Sequence, residues 1–526
     1  MKFQVFFIGL LLTGCVSKSN QNKRPNILFV ISDDQSYPHT SFFGSNFINT
    51  PGFDRIAKEG VYFTNCYAGS PGCAPSRSAL VTGRHHWQNE QSGQHGSSWM
   101  KKHVPFIDEI EANGYLVGRT GKGVDPFQYA RNENDSLWRK ENAGGPAYNN
   151  VSYKENSDDK FASGIANNNY AENFKYFIEK SKDDKPFFFW FGSHEPHRSF
   201  EKGSWKKMGK KLEDAEVPEF LPDNEEIRGD LLDYAVEIEW FDSHLQKMLD
   251  YLEDIGELDN TIVIVTSDNG MAFPRAKANC YEYGVHVPMA IRYPKEIKGG
   301  KINNTPIGFI DIAPTILEVA QTSPDNMMPI TGKSIWGLLK SNKEDDNRTV
   351  FSGRERHSSS RYQNLGYPQR FVKKGEYLFI WNITPERWPA GAPQKIDAQD
   401  TLKLQPLYGL DKNKRYVYQS VFADIDESPS KTNLIENHDT LKEAEYFKLA
   451  IEKRPEFELY NVKSDSACLH NLSGIADYNT IENDIKKILM DELMKTNDPR
   501  IDSKSFNIFD RYKRYMSIRR FPEPSL

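Results

Sequence analysis

Asn26-Ile27-Leu28-Phe29-Val30-Ile31-Ser32-Asp33-Asp34 is a run of apolar residues held between Pro25 and a pair of aspartates. A short, unbroken apolar run rich in β-branched side chains is a strand buried on both faces, the kind found in parallel sheets. The pattern recurs twice. Residues 186–192 (PFFFWFG) lead into Ser193-His194-Glu195-Pro196-His197, and residues 261–266 (TIVIVT) lead into Ser267-Asp268-Asn269-Gly270. Helices are predicted between these strands. Thr50 reads as an N-cap with Pro51 at the first helical position, and Gly60 ends that helix. Residues 105–112 read as a second helix. Residues 231–255 carry Leu231, Ala235, Ile238, Phe241, Leu245, Met248 and Leu252 near a 3.6-residue period. Residues 311–320 form another helix. This alternation predicts an α/β domain over 24–345, its parallel sheet covered on both faces. Charge clusters at 340–348 and the pattern then changes. Short strands at 350–352, 377–381 and 458–460, with a helix at 481–494, predict a smaller α+β unit over 346–526.

Each buried strand runs into a polar turn. Ligands of open α/β sheets bind beyond the carboxyl ends of the strands, so the three turns are expected to converge. Asp33, Asp34, Asp268 and Asn269 then offer four hard oxygen ligands, a set suited to Ca²⁺ or Mg²⁺ rather than a soft metal. Each pair alone reads equally well as an Asx turn or helix cap; the recurrence at three strand ends favours a shared site.

The bulk numbers exclude some classes. A net charge of -6 argues against a nucleic-acid partner, although an acidic protein can still hold a basic pocket. Hydrophobic content of 38% with 13% aromatics is that of a folded chain. Lys2 followed by the apolar residues 3–12 reads as an export signal, too short to span a bilayer. Leu12-Thr13-Gly14-Cys15 resembles a bacterial lipobox, which implies lipidation of Cys15 and a mature protein held at the cell envelope; residues 1–23 are then signal and linker. Of the five cysteines, Cys66, Cys280 and Cys468 remain after Cys15 and Cys73 are assigned, so at most one disulfide forms.

Cys73-Ala74-Pro75-Ser76-Arg77, running on to Thr82-Gly83-Arg84, resembles the C-x-P-S-R signature of the type I sulfatases, within the alkaline phosphatase superfamily. Gly114-Tyr115 to Gly121-Lys122, Thr266 to Gly270, and Glu458-Leu459-Tyr460-Asn461 resemble further segments of that family. The resemblance implies an alkaline-phosphatase-like, mostly parallel mixed sheet between helix layers. It also implies that a maturation enzyme oxidises Cys73 to formylglycine. One hydroxyl of the hydrated aldehyde attacks sulfur; loss of the second hydroxyl's proton reforms the carbonyl and frees sulfate. By the same resemblance residue 73 is nucleophile and metal ligand. Arg77 holds the nucleophile and the carboxylates, Lys122 and Lys277 grip the sulfate, and His194 protonates the leaving oxygen. The family's G-K-x-H is departed from here, since Val124 stands where a histidine is expected. His95 and His197 are the candidates to replace it.

Ser193 to Arg198, residues 268–274 and Thr496-Asn497-Asp498-Pro499 resemble the N-sulfoglucosamine sulfohydrolase branch. Sulfated saccharides such as heparan or ulvan are the implied substrates, with N- and O-sulfate both open. Arg354, Arg356 and His357, with His95 and His197, are the candidate substrate contacts. Two other readings compete. A phosphatase or phosphodiesterase of the superfamily carries Ser or Thr as nucleophile with His-rich zinc ligands, which Cys73 argues against. A non-catalytic sugar-binding relative has only Val124 in its favour.

Overall fold

The computed structural model describes residues 24–129, 139, 141–155, 157–180, 185–341 and 343–524; the lipobox cysteine and the export signal lie outside them. The strands, in chain order, are β1 (Asn26–Ser32), β2 (Val61–Tyr67), β3 (Ser97–Trp99), β4 (Leu116–Gly121), β5 (Phe127–Tyr129), β6 (Phe187–Gly192), β7 (Thr261–Ser267), β8 (His286–Arg292), β9 (Lys301–Asn303), β10 (Ile307–Gly308), β11 (Val350–Arg354), β12 (Gln369–Lys374), β13 (Tyr377–Asn382) and β14 (Phe457–Asn461). The main sheet has the order β10-β2-β8-β7-β1-β6-β4, with β9 beside β2. β8 pairs antiparallel with both β2 and β7, and the other pairings are parallel. β11 to β14 form a separate four-stranded antiparallel sheet.

β1 is buried along its whole length because it feeds two cores. Ile27, Phe29 and Ile31 face a layer built from the helices Cys73–Thr82, Phe106–Ala112 and Ile312–Val319. Leu28 and Val30 face the helices Pro51–Glu59, Tyr170–Lys180 and Glu225–Asp254. Each fully buried large apolar side chain contributes about 1.5–3 kcal/mol, so this double burial anchors the sheet. The long helix begins at Glu225, six residues before its apolar stripe, capped by the Asn224 side chain, which accepts from the Ile227 N–H at 3.1 Å. Its stripe serves two cores in turn. Leu231, Ala235 and Ile238 pack with Phe422, Leu434 and Ile435, while Leu245, Met248 and Leu252 pack on the sheet.

The helix Pro51–Glu59 starts where expected, but Thr50 does not cap it. Its hydroxyl is engaged by Ser41, and the N–H groups of Gly52 and Phe53 donate instead to the Asp242 carboxylate of the long helix, at 2.8 and 2.7 Å. Cys66, Cys73, Cys280 and Cys468 are all buried free thiols. No described helix is long and apolar enough to cross a membrane.

The smaller sheet is pinned by buried ion pairs. Glu355 accepts from both Arg370 and Arg500, and Arg370 also pairs with Asp498. All four side chains are withdrawn from solvent. Removing one partner of such a network strands the others, so Glu355→Ala is expected to cost about 3–5 kcal/mol. A lower urea midpoint at unchanged slope would register this; an unchanged midpoint would show that the two guanidiniums find other partners.

Candidate active site

Hydrogen bonding between neighbouring strands continues past their carboxyl ends. Lys122 N–H donates to Gly192 O (2.8 Å), Ser193 N–H to Ile31 O (3.0 Å), Asp33 N–H to Glu195 O (3.0 Å) and Asp268 N–H to Ser32 O (3.2 Å). The residues following β4, β6, β1 and β7 are thereby laid side by side. Two glycines make the approach possible. Gly121 sits at φ +70°, and a Cβ on Gly192 would lie 1.8 Å from the Lys122 carbonyl oxygen.

Charges of both signs meet at this edge. Lys122 Nζ donates to Asp33 Oδ2 at 2.6 Å, and Lys277 Nζ to Asp34 Oδ2 at 2.6 Å. Arg77 Nε donates to Asp268 Oδ2 at 2.8 Å, while its Nη1 holds the Gly123 carbonyl at 2.9 Å. Asn269 Nδ2 donates to Asp34 Oδ1 at 2.8 Å. Burial pushes the Asp33 carboxyl up, but Lys122, His197, Arg77 and Lys277 together hold it well below its usual range. Asp268 goes the other way. Burial raises it to about 7 despite Arg77, and the neighbouring Asp33 and Asp34 charges add to the rise.

Cys73 is the first residue of the buried helix Cys73–Thr82, and its Sγ lies with carboxylate oxygens of Asp33 and Asp268 in a group whose members are within 4.8 Å of one another. Burial pushes its thiol up to about 11, with Lys122 lowering and Asp33 raising it. Such a cysteine stays protonated near neutral pH and is a poor thiolate nucleophile. The donor set fits a hard divalent cation. Asp33 Oδ1 and Asn269 Oδ1 are buried with no hydrogen-bond partner, and Asp268, raised chiefly by burial, stands beside the Asp33 and Asp34 charges. Asp33, Asp34, Asp268, Asn269 and residue 73 are the residues that would hold the ion.

The cluster floors a cavity of about 770 Å³. A family model described as Sulfatase matches residues 25–322, more than half of the chain. The chain belongs to the sulfatase family. An ulvan-active sulfatase of Formosa agariphila is 25% identical over 83% of this chain and 74% of its own length. The N-sulphoglucosamine sulphohydrolase of Homo sapiens is 24% identical over 68% of this chain and 73% of its own. A solved structure titled as a complex with its substrate D-glucosamine-2-N,6-O-disulfate superposes with a TM-score of 0.62 at 18% identity, covering 90% of this chain and 99% of that one. The mixed sheet with its small antiparallel companion is thus the sulfatase fold.

Within this sulfatase most of the expected residues meet at one cavity. Lys122, His194, His197, Lys277, His95 and His357 line the cavity with Cys73 and Asp33. The His194 side chain opens to solvent, yet the surrounding protein and then Lys122 lower its pKa, with Glu195 opposing. Of the two candidates to replace the missing histidine, His197 lies 4.0 Å from Asp34, whereas His95 stands 5.3 Å, ring to ring, from His357. His357 in turn packs on Gly72, next to Cys73, where a Cβ would lie 2.9 Å from its Nδ1. Val124 is fully buried in the apolar core and contributes no group to the cavity; its N–H donates to Asn142.

Arg354 and Arg356, expected to contact substrate, are not among the residues that line the cavity. Arg354 is buried against Asp424, and Arg356 donates to the Tyr512 carbonyl and the Ser97 hydroxyl. Arg354 ends the edge strand β11 but is buried there, so its basic side chain needs a carboxylate partner of the protein's own. The sequence reading also missed Asp426, Glu237, Arg514 and Arg519, all of which line the cavity. Asp426 accepts from Lys277 at 3.0 Å. Only the basic run ending the chain, from Arg511 to Arg520, carried any signal for the last two.

Cation binding is expected to stabilise the fold, by about 2.7 kcal/mol at a hundredfold excess over the dissociation constant. Ca²⁺ or Mg²⁺ should therefore raise the melting temperature of the chelated protein, and Asp268→Ala should abolish the rise. A rise produced by Zn²⁺ alone would contradict the oxygen-donor assignment.

Proposed function

We propose that the protein removes sulfate from sulfated oligo- or polysaccharides, with residue 73 acting in its formylglycine form beside a bound Ca²⁺ or Mg²⁺. One observation carries this reading. Among the described residues, the one cysteine of the cavity sits at a helix N-terminus among two lysines and three carboxylates, with a thiol too basic to serve as it stands. The hydrated aldehyde would supply one hydroxyl to attack sulfur and a second whose ionisation frees the sulfate, and the cation would polarise the group under attack.

The chain's own residues do the rest. Lys122 and Lys277, which burial opposes but Asp33 and Asp34 respectively keep firmly protonated, present fixed cations to the sulfate oxygens. Arg77 locks Asp268 and the Lys122 backbone in place. His194, open at the cavity wall, is placed to protonate the departing oxygen or nitrogen. His95 and His197, both lining the cavity, are the imidazoles available in place of the histidine that Val124 replaces. The relatives act, by name, on ulvan and on N-sulphoglucosamine, which supports a sulfated carbohydrate substrate and leaves the sulfate position open. The reading includes export and lipid anchoring through Cys15, supported by the apolar residues 3–12 and the Leu12-Thr13-Gly14-Cys15 motif, and a maturation enzyme as partner.

Co-expressed with a formylglycine-generating enzyme, the tryptic peptide spanning 59–77 should carry an aldehyde in place of the thiol at residue 73. Such protein should release sulfate from N-sulfated heparan saccharides or O-sulfated algal oligosaccharides. An unmodified Cys73 in protein that still turns over would overturn the mechanism. His194→Ala should lower turnover by about 10²–10⁴-fold; an unchanged rate would remove it from the proton-donor role.

A further inference from the structure

Most buried guanidinium groups among the described residues are ion-paired, although Arg84, Arg275 and Arg356 bond neutral oxygens instead. Arg198 is clamped by Asp230, Arg354 and Arg361 share Asp424, and Arg370 and Arg500 share Glu355. Two arginines of the C-terminal segment lack such a pair inside the active-site cavity. Arg514 and Arg519 both line it, and neither has a carboxylate within ion-pair distance among the described residues.

Their hydrogen bonds go to neutral groups. Arg514 Nη1 donates to the carbonyls of His95 (3.2 Å) and His357 (3.4 Å). Arg519 Nη1 donates to the Ser359 carbonyl at 3.0 Å, and its backbone N–H to the Ser359 hydroxyl at 2.9 Å. These bonds orient the guanidiniums without compensating their charge. Asp424, the closest candidate counter-ion, is already committed to Arg354, Arg361 and Ser358. Arg514 is only 8% exposed, and a third unpaired guanidinium, that of Arg356, lies close enough to repel it. Burial brings the Arg514 pKa down to about 10, with the Asp424 charge opposing the fall and Arg519 adding to it. A guanidinium does not escape this cost by deprotonating near neutral pH, and its planar fork matches carboxylate and sulfate oxygens. Lys122 and Lys277, by contrast, are already neutralised by Asp33 and Asp34 at the nucleophile end of the cavity.

We propose that Arg514 and Arg519 form a second anion subsite, which binds a sulfate or carboxylate group of the substrate other than the sulfate being removed. The inference rests on the sulfatase reading above and narrows it to glycans with at least two anionic groups.

The test measures binding by calorimetry to the Cys73→Ala protein with Ca²⁺, so that maturation plays no part. D-glucosamine N-sulfate and D-glucosamine 6-sulfate serve as single-anion probes. D-glucosamine-2-N,6-O-disulfate carries a second sulfate, and a uronate-linked N-sulfated disaccharide carries a second carboxylate; whichever gains identifies the source. The parent should prefer a two-anion probe by about tenfold or more. Arg519→Gln should bring that ratio close to one, and Arg519→Lys should restore part of it. Arg514→Gln should lower it too, and because Arg519 is the more exposed, its variants keep the test decisive if Arg514→Gln misfolds. A parent without the preference, a parent that binds none of the probes, or a ratio unmoved in Arg519→Gln would overturn the subsite. Sulfate release by matured protein is read separately. Turnover without the preference sinks the subsite alone, whereas preference without turnover on any sulfated glycan sinks the sulfatase reading.

Discussion

Three carboxylates cannot be buried side by side unless something positive is buried with them. Asp33, Asp34 and Asp268 are each essentially sealed from solvent, and each has its own cation: Lys122, Lys277 and Arg77. The residual imbalance appears at Asp268, whose proton is held to about pH 7, and in the two unpartnered oxygens of Asp33 and Asn269. Both features suit a site finished by a divalent ion. β1 makes this concentration of charge possible. It is the one strand that hydrogen-bonds to both β6 and β7, so the turn after it is gripped from both sides. The apolar burial of β1 on two faces therefore holds the electrostatics of the site as well as the sheet.

Much of this was legible from the residues because both signals are local. An unbroken apolar run ending in polar residues specifies a strand and what lies at its tip, so β1, β6 and β7 and the carboxylates after β1 and β7 could be read directly. β2, β4 and β8 were not identified: β2 and β4 interleave polar and apolar residues in short runs, and nothing in the residues of β8 shows that it runs against its neighbours. The Thr50 cap failed for a different reason. Cap propensity is local, but Asp242, which took the role, comes from almost two hundred residues downstream. The same blindness to distant partners misplaced Arg354 and Arg356. A basic cluster looks alike in sequence whether its charges meet a protein carboxylate or a ligand, and Asp424 decided the matter for Arg354.

The cavity has two origins. Its floor comes from the ends of the sheet strands and the start of the helix Cys73–Thr82, the parts matched by the family model. Much of its upper wall comes from later residues: His357, Ser358, Asp426, Arg514 and Arg519. Chemistry common to a family belongs on the floor, where a small displacement disrupts the charge balance. Selectivity belongs on the wall, whose loops change without disturbing the sheet. Val124 fits this division. Its backbone still shapes the turn after Lys122 while its side chain has joined the core, leaving the imidazoles of the cavity to His95, His194, His197 and the wall residue His357.

That late-built wall sets an order of events for the chain's own maturation. Residue 73 is 2% exposed in the finished molecule, at the bottom of a cavity whose last components lie more than four hundred positions further along. On the proposed function, an enzyme that oxidises its thiol has to reach it before the helix docks and the C-terminal arginines complete the cavity. At synthesis rates of about 5–20 residues per second, that interval lasts roughly 20–90 s. Folding speed and modification are in competition here, and a variant that folded its first domain faster would leave the ribosome with a sounder structure and a smaller fraction of usable nucleophile.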